Sequence, residues 1–97
     1  MLEFKKGDVK VLYAWSYYQN GEIDLAQTVF KTYDQQFTNY PHRLEYAKFL
    51  NATGKLMERQ NLLNRMTDEI EHMDPKERKR KADIDLEIKK MAMKKQG

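Results

Sequence analysis

Apolar residues in this chain recur at steps of three and four, the spacing that lines up one face of an α-helix. The clearest run is Ile23, Ala26, Val29, Phe30, Tyr33 and Phe37, which predicts a helix over 22–37. A second run, Leu56, Leu62, Leu63, Met66 and Ile70, predicts another over 55–73. Each is preceded by a shorter segment, 8–19 or 41–53, that ends on a glycine, Gly21 or Gly54. Glycine takes the left-handed conformation that commonly ends a helix without a Cβ clash. Asp8 is placed to cap the first segment, and Pro41 suits the first turn of the third, where a missing amide costs nothing. The fifth start has the most signals: Asp74 as N-cap, Pro75 next, Glu77 at the reciprocal capping position. It predicts a last helix over 75–94.

Shifting the chain by 33 residues lays the first helix pair on the second. Val11 falls on Leu44, Tyr13 on Tyr46, Ala14 on Ala47, Tyr17 on Leu50 and Gly21 on Gly54. Further on, Ile23 falls on Leu56, Val29 on Leu62, Phe30 on Leu63, Tyr33 on Met66 and Phe37 on Ile70. Small, aromatic, glycine and large apolar classes match in order without a gap, so the chain reads as one domain over 1–97 with repeats at about 8–40 and 41–73.

A helix-turn-helix period of this length resembles the tetratricopeptide repeat. The first copy carries Ala14, Tyr17, Gly21, Ile23, Ala26 and Phe30 where that family keeps small, aromatic, glycine, large, alanine and aromatic residues. The second departs from the pattern, with Arg59 at the alanine position and Leu63 for the aromatic. The resemblance implies an all-α fold: two antiparallel helical hairpins and a C-terminal capping helix, forming a right-handed turn of solenoid. It also implies a non-catalytic role, binding a peptide or protein partner.

Composition narrows the function classes. No stretch approaches the roughly 18 to 20 apolar residues that span a bilayer, and Met1 to Lys6 lack a hydrophobic signal core. A cytoplasmic protein, or a soluble domain of a larger one, is therefore expected. No cysteine is present, which removes disulfides and thiolate chemistry. His42 and His72 belong to different predicted helices with no HExxH around them, so neither a metal nor a cofactor is expected. Ser16 lies inside a helix without a glycine elbow. The acid pairs Glu69/Glu71 and Asp83/Asp85 read as solvated faces, because helical neighbours two apart point away from each other. No catalytic residue is assigned.

In the tetratricopeptide family ligands lie on the concave surface lined by the first helix of each pair. Carried over by position, that surface would hold Val11, Trp15, Tyr18 and Gln19, then Leu44, Lys48 and Asn51, then Arg78, Ala82 and Asp85. Trp15 and Tyr18 stand off the Tyr13/Ala14/Tyr17 packing set and would form an aromatic step beside Lys48. Such residues carry much of the energy of many interfaces. The alternative is that Trp15 packs under Leu2 and Phe4. Family members that grip a peptide carboxylate use basic and amide residues where this chain has Val11, Trp15 and Glu45, so an apolar or mixed peptide is the expected ligand.

The last helix is apolar on two sides, Ala82/Leu86/Met93 and Ile84/Ile88/Met91. One side would dock, leaving the other; Ile84, Ile88 and Met91 are the expected self-association strip of a homodimer. Net charge is −2 over residues 1–74 and +5 over 75–97. Arg78, Lys79, Arg80 and Lys81 are accordingly the candidates for binding an anion, whether nucleic acid or an acidic surface. The interleaved Glu77, Asp83, Asp85 and Glu87 make that the weaker alternative. Packing at the first helix crossing yields a test. Ala14→Leu should overpack it and cost roughly 1–3 kcal/mol in urea denaturation; a variant as stable as the parent would remove this packing.

Overall fold

The computed structural model describes residues 6–93, with side chains from Val9 onward. Six helices and no strand lie among the described residues: α1 (Lys6–Gln19), α2 (Ile23–Lys31), α3 (Tyr40–Ala52), α4 (Leu56–Glu71), α5 (Pro75–Arg80) and α6 (Ala82–Met93). The all-α class is as expected. Most boundaries fall within two residues of those expected, but α2 stops at Lys31 rather than 37, and the last helix is broken at Lys81. Its expected last residue, 94, lies outside the described residues, as do Leu2 and Phe4.

The shift of 33 that aligns the residues also aligns the turns. Gly21 and Gly54 take φ of 82° and 76°. After each, an amide reaches back over the helix end: Glu22 N–H donates to Tyr17 O at 2.8 Å and Lys55 N–H to Leu50 O at 2.9 Å. These are the bonds that satisfy orphan carbonyls at a glycine-terminated helix. Glu22 and Lys55 then take nearly equal backbone angles, φ −90°, ψ 68° and φ −85°, ψ 67°. Asp74 caps α5 as expected, accepting from Glu77 N–H at 2.9 Å, but the Glu77 carboxylate accepts from Arg80 at 3.1 Å. Asp8 lies within α1 rather than before it.

Helix α3 packs against α1, α2, α4 and α6, and the core forms around it. Ala14, Ala26 and Ala47 are fully buried. Phe30 and Phe49, also fully buried, meet at 4.9 Å between ring centres, and Phe30 stacks on Tyr46 at 6.1 Å. Position in the stack decides the fate of equivalent residues. Tyr46, on the surrounded α3, is 4% exposed, whereas Tyr13, its counterpart on α1, is 61% exposed. The packing face of α1 is Val11, Ala14, Trp15, Tyr17 and Tyr18; of the expected Tyr13/Ala14/Tyr17 set only Tyr13 stays outside it.

The early end of α2 has a polar cause. Arg43, on α3, is fully buried and grips the Glu69 carboxylate of α4 with two bonds, at 2.7 and 2.9 Å. Glu69 also accepts from Tyr40 Oη at 3.0 Å and from the Phe37 backbone N–H at 2.8 Å. Asp34 completes the group, 3.3 Å from Arg43 and 2.7 Å from Arg65. Holding Asp34 and the Phe37 amide at these places pulls residues 32–39 out of the helix, with Phe37 and Asn39 at φ of 62° and 56°. The expectation that Glu69 sits on a solvated face is thus overturned. Burial pushes its carboxyl up, but the bonds from Arg43, Phe37 and Tyr40 outweigh this and hold it below the ordinary carboxylate value. Burial, with donation to Glu69, pushes the Tyr40 hydroxyl up to about 12.

At the break, Lys81 N–H is shared between Glu77 O and Arg78 O, a tightened last turn for α5, and its ammonium lies 5.8 Å from the Tyr40 ring centre. Helix α6 then lies against α4 and α3. It docks by the strip expected to stay open: Ile88 is fully buried, and Ile84 and Met91 pack on the core. Leu86 and Met93 of the other strip are 53% and 81% exposed. The strip Ile84, Ile88 and Met91 is therefore taken up by the core rather than left open for a second copy. Lys89 pairs with Asp85 of its own helix at 3.0 Å.

Glu69→Gln would leave Arg43 facing only Asp34, and should cost about 3–5 kcal/mol in chemical denaturation. The wild type carries its own pH signature. With its carboxyl held below the ordinary value, Glu69 contributes stability above about pH 4.5, and this is lost as pH falls through the lower folded value. Tyr40 has the opposite sign: its contribution is complete below about pH 10 and disappears towards pH 12. Stability of Glu69→Gln that falls in acid as steeply as the wild type's would show that another carboxyl controls the acid limb.

Candidate functional site

Of the expected binding residues, Val11 and Leu44 are buried in the core and offer no surface. Trp15 and Tyr18 are half-buried, one turn apart on α1, with their rings edge to face at 5.6 Å. Both also lean on Phe49, at 6.4 and 5.9 Å, and Trp15 on Phe30 at 5.2 Å. The indole N–H of Trp15 donates to Glu45 at 3.1 Å, and the other oxygen of Glu45 binds Lys48 at 2.7 Å. An aromatic step beside Lys48 therefore exists, coupled through Glu45, but its aromatic half is partly core. Gln19 is exposed at the end of α1.

Lys48 and Asn51 lead to a groove between α3 and α6. It has a volume of about 350 Å³ and is lined by Lys48, Asn51, Arg59, Glu87, Lys90 and Met91. The size is at the lower end of ligand pockets, which run roughly 300–1,000 Å³. Arg59 reaches it from α4; its Nη1 donates to Asn51 Oδ1 at 2.6 Å, and the residue is 7% exposed. The sequence did hold a signal for this residue, since Arg59 interrupts the repeat where alanine is expected. Glu87, Lys90 and Met91 are not among the residues expected on this groove; they reach it because α6, separate from α5, docks by its Ile84/Ile88/Met91 strip.

The fifth-helix residues expected on this surface lie elsewhere. Arg78, Ala82 and Asp85 line a second groove, of about 620 Å³, with Ile70, Lys79 and Leu86. The four basic candidates do not converge. Arg78 and Lys79 edge that groove beside Asp83 and Asp85, Arg80 pairs with Glu77, and Lys81 lies over Tyr40.

His42 stacks on Tyr33 at 4.8 Å, while His72 is exposed beside Asp68. Backbone and side chain of Asp68 raise the His72 value above that of an ordinary imidazole. Among the described residues no three His, Cys, Asp or Glu side chains gather as metal ligands, and no helix is long and apolar enough to cross a membrane. The chain matches no family model, no curated protein and no solved structure.

Trp15 separates fold from surface. Trp15→Ala should lower stability by a few kcal/mol, because the ring contacts Phe30 and Phe49. Trp15→Phe, which keeps a ring and loses the bond to Glu45, should cost about 1 kcal/mol. Equal urea midpoints for wild type and Trp15→Ala would return Trp15 to the purely exposed surface.

Proposed function

We propose that this chain is a non-catalytic protein-interaction module of tetratricopeptide-like build, binding an extended segment of a partner protein on the face that α1, α3 and α6 share. The observation that carries this reading is the groove between α3 and α6, which continues along α3 through Lys48 and Glu45 to Trp15 and Tyr18. It sets a polar, charged pocket beside an aromatic step, the combination that gives an interface orientation and buried area together. Two hairpins with the same turn geometry, stacked on a shared α3, support the right-handed solenoid arrangement. The supporting lines for a non-catalytic role are the isolation of Ser16, the separation of the two histidines and the structural employment of Glu69.

A second reading rests on the exposed side of α6. Leu86, which lines the larger groove, and the exposed Met93 give the module a separate surface for self-assembly or for a further repeat. Nucleic-acid binding by Arg78 to Lys81 has less support, because those side chains diverge and two are engaged within the chain.

The test is selection of peptides from a displayed random library against the immobilised protein, followed by amide shift mapping of the best binder. Shifts are expected on α1, α3 and α6, with Tyr18→Ala and Lys48→Ala each weakening binding by about 1–3 kcal/mol at unchanged helix content. Shifts confined to Leu86 and its neighbours, with sedimentation showing a dimer lost in Leu86→Lys, would replace this reading by self-assembly. Binding of single-stranded nucleic acid that falls steeply with salt would replace it by the basic-run alternative.

A further inference from the structure

The two buried arginines of this chain are treated differently. Arg43 has two carboxylates against it, Glu69 and Asp34. Arg59 is almost as deeply buried, yet among the described residues its hydrogen-bond partner is a neutral amide oxygen, that of Asn51, and it forms no ion pair. Its Nε, like that of Arg43, is buried without a hydrogen-bond partner. A buried cation without a counter-charge is costly. The cost is not relieved by the groove on which Arg59 opens, because Lys48 and Lys90 line it too and Glu87 is the single acid of the lining. Charge in this groove is therefore left incomplete, and what completes it is an anion.

We infer that the α3/α6 groove is a carboxylate site, in which Arg59 and Lys90, with Lys48 beside them, receive an acidic side chain or the C-terminal carboxylate of the bound segment. This rests on the peptide-binding reading above and specifies its ligand as acidic. A planar guanidinium matches a carboxylate in geometry as well as charge. Glu87, and Glu45 on Lys48, place negative charge nearby, which a singly charged carboxylate tolerates better than a doubly charged phosphate. The site also differs from that of carboxylate-gripping tetratricopeptide proteins, whose positions here hold Val11, Trp15 and Glu45. It is built on Arg59, at a second-helix position where the repeat pattern has alanine.

The experiment observes the Arg59 Nε–H directly by proton–nitrogen correlation spectroscopy at low salt. Three probes are titrated: N-acetylglutamic acid α-amide (side-chain carboxylate), N-acetylleucine (main-chain carboxylate) and N-acetylglutamine amide (neutral). A saturating shift of Arg59 Nε–H and of the Lys90 amide is expected with one or both acids and not with the neutral amide. Which acid binds tighter identifies the source of the carboxylate. Lys90→Gln, at an exposed position, should weaken binding about threefold to tenfold with unchanged circular dichroism, and Arg59→Met by tenfold or more. Acids that shift Arg59 no more than the neutral amide up to tens of millimolar would overturn the assignment. Inorganic phosphate binding more tightly than both acids would also overturn it. A library-selected peptide that shifts Trp15 and Tyr18 but leaves Arg59 unmoved would end this inference while leaving the peptide-binding reading standing.

Discussion

The bidentate pair of Arg43 and Glu69 is the constraint on which the rest of this small fold depends. It joins α3 to α4 across the core, and through Asp34 and the Phe37 amide it also fixes the irregular segment between α2 and α3. Replacing such a pair with apolar residues is often neutral for stability, since desolvation offsets most of the attraction. Its contribution here is to specify an arrangement. An apolar contact would accept several lengths of α2 and several entry angles of α3. Four donated hydrogen bonds on one carboxylate accept very few.

This also explains which parts of the fold were legible in the sequence. Glycine turns at Gly21 and Gly54, the Asp74 cap and the proline-led starts are local, so residue type and spacing are enough to place them. The end of α2 is not local. Tyr33 and Phe37 continue a helical period, but the carboxylate that takes the Phe37 amide is 32 residues away. Glu69 sits among alternating acids and looks like surface, because a sequence does not show that Arg43 arrives opposite it. The binding residues divide in the same way. Lys48 and Asn51 line the α3/α6 groove, whereas Val11 and Leu44 fall on the core faces of α1 and α3.

Repetition makes the two hairpins alike, and position in the stack makes them different. Tyr13 and Tyr46 match in sequence, yet one faces solvent and the other is enclosed by helices on several sides. At the next pair of equivalents the chemistry itself changes. Ala26 lets its helix approach closely and disappears into the core. Arg59 cannot disappear, and its stem must lead its charge to an edge where something polar can receive it. That edge is the boundary between α3 and α6.

The break at Lys81 decides what that edge becomes. By docking Ile84, Ile88 and Met91, α6 closes the open side of α3 and α4 with apolar contacts. The same orientation carries Lys90 and Glu87 to Arg59 and turns Leu86 outward. The turn at Lys81 is therefore tied both to closing the core and to the unbalanced positive charge of the groove. One backbone departure, held by a shared amide and an aromatic ring beneath the ammonium, links the stability of the domain to the character of the surface it presents.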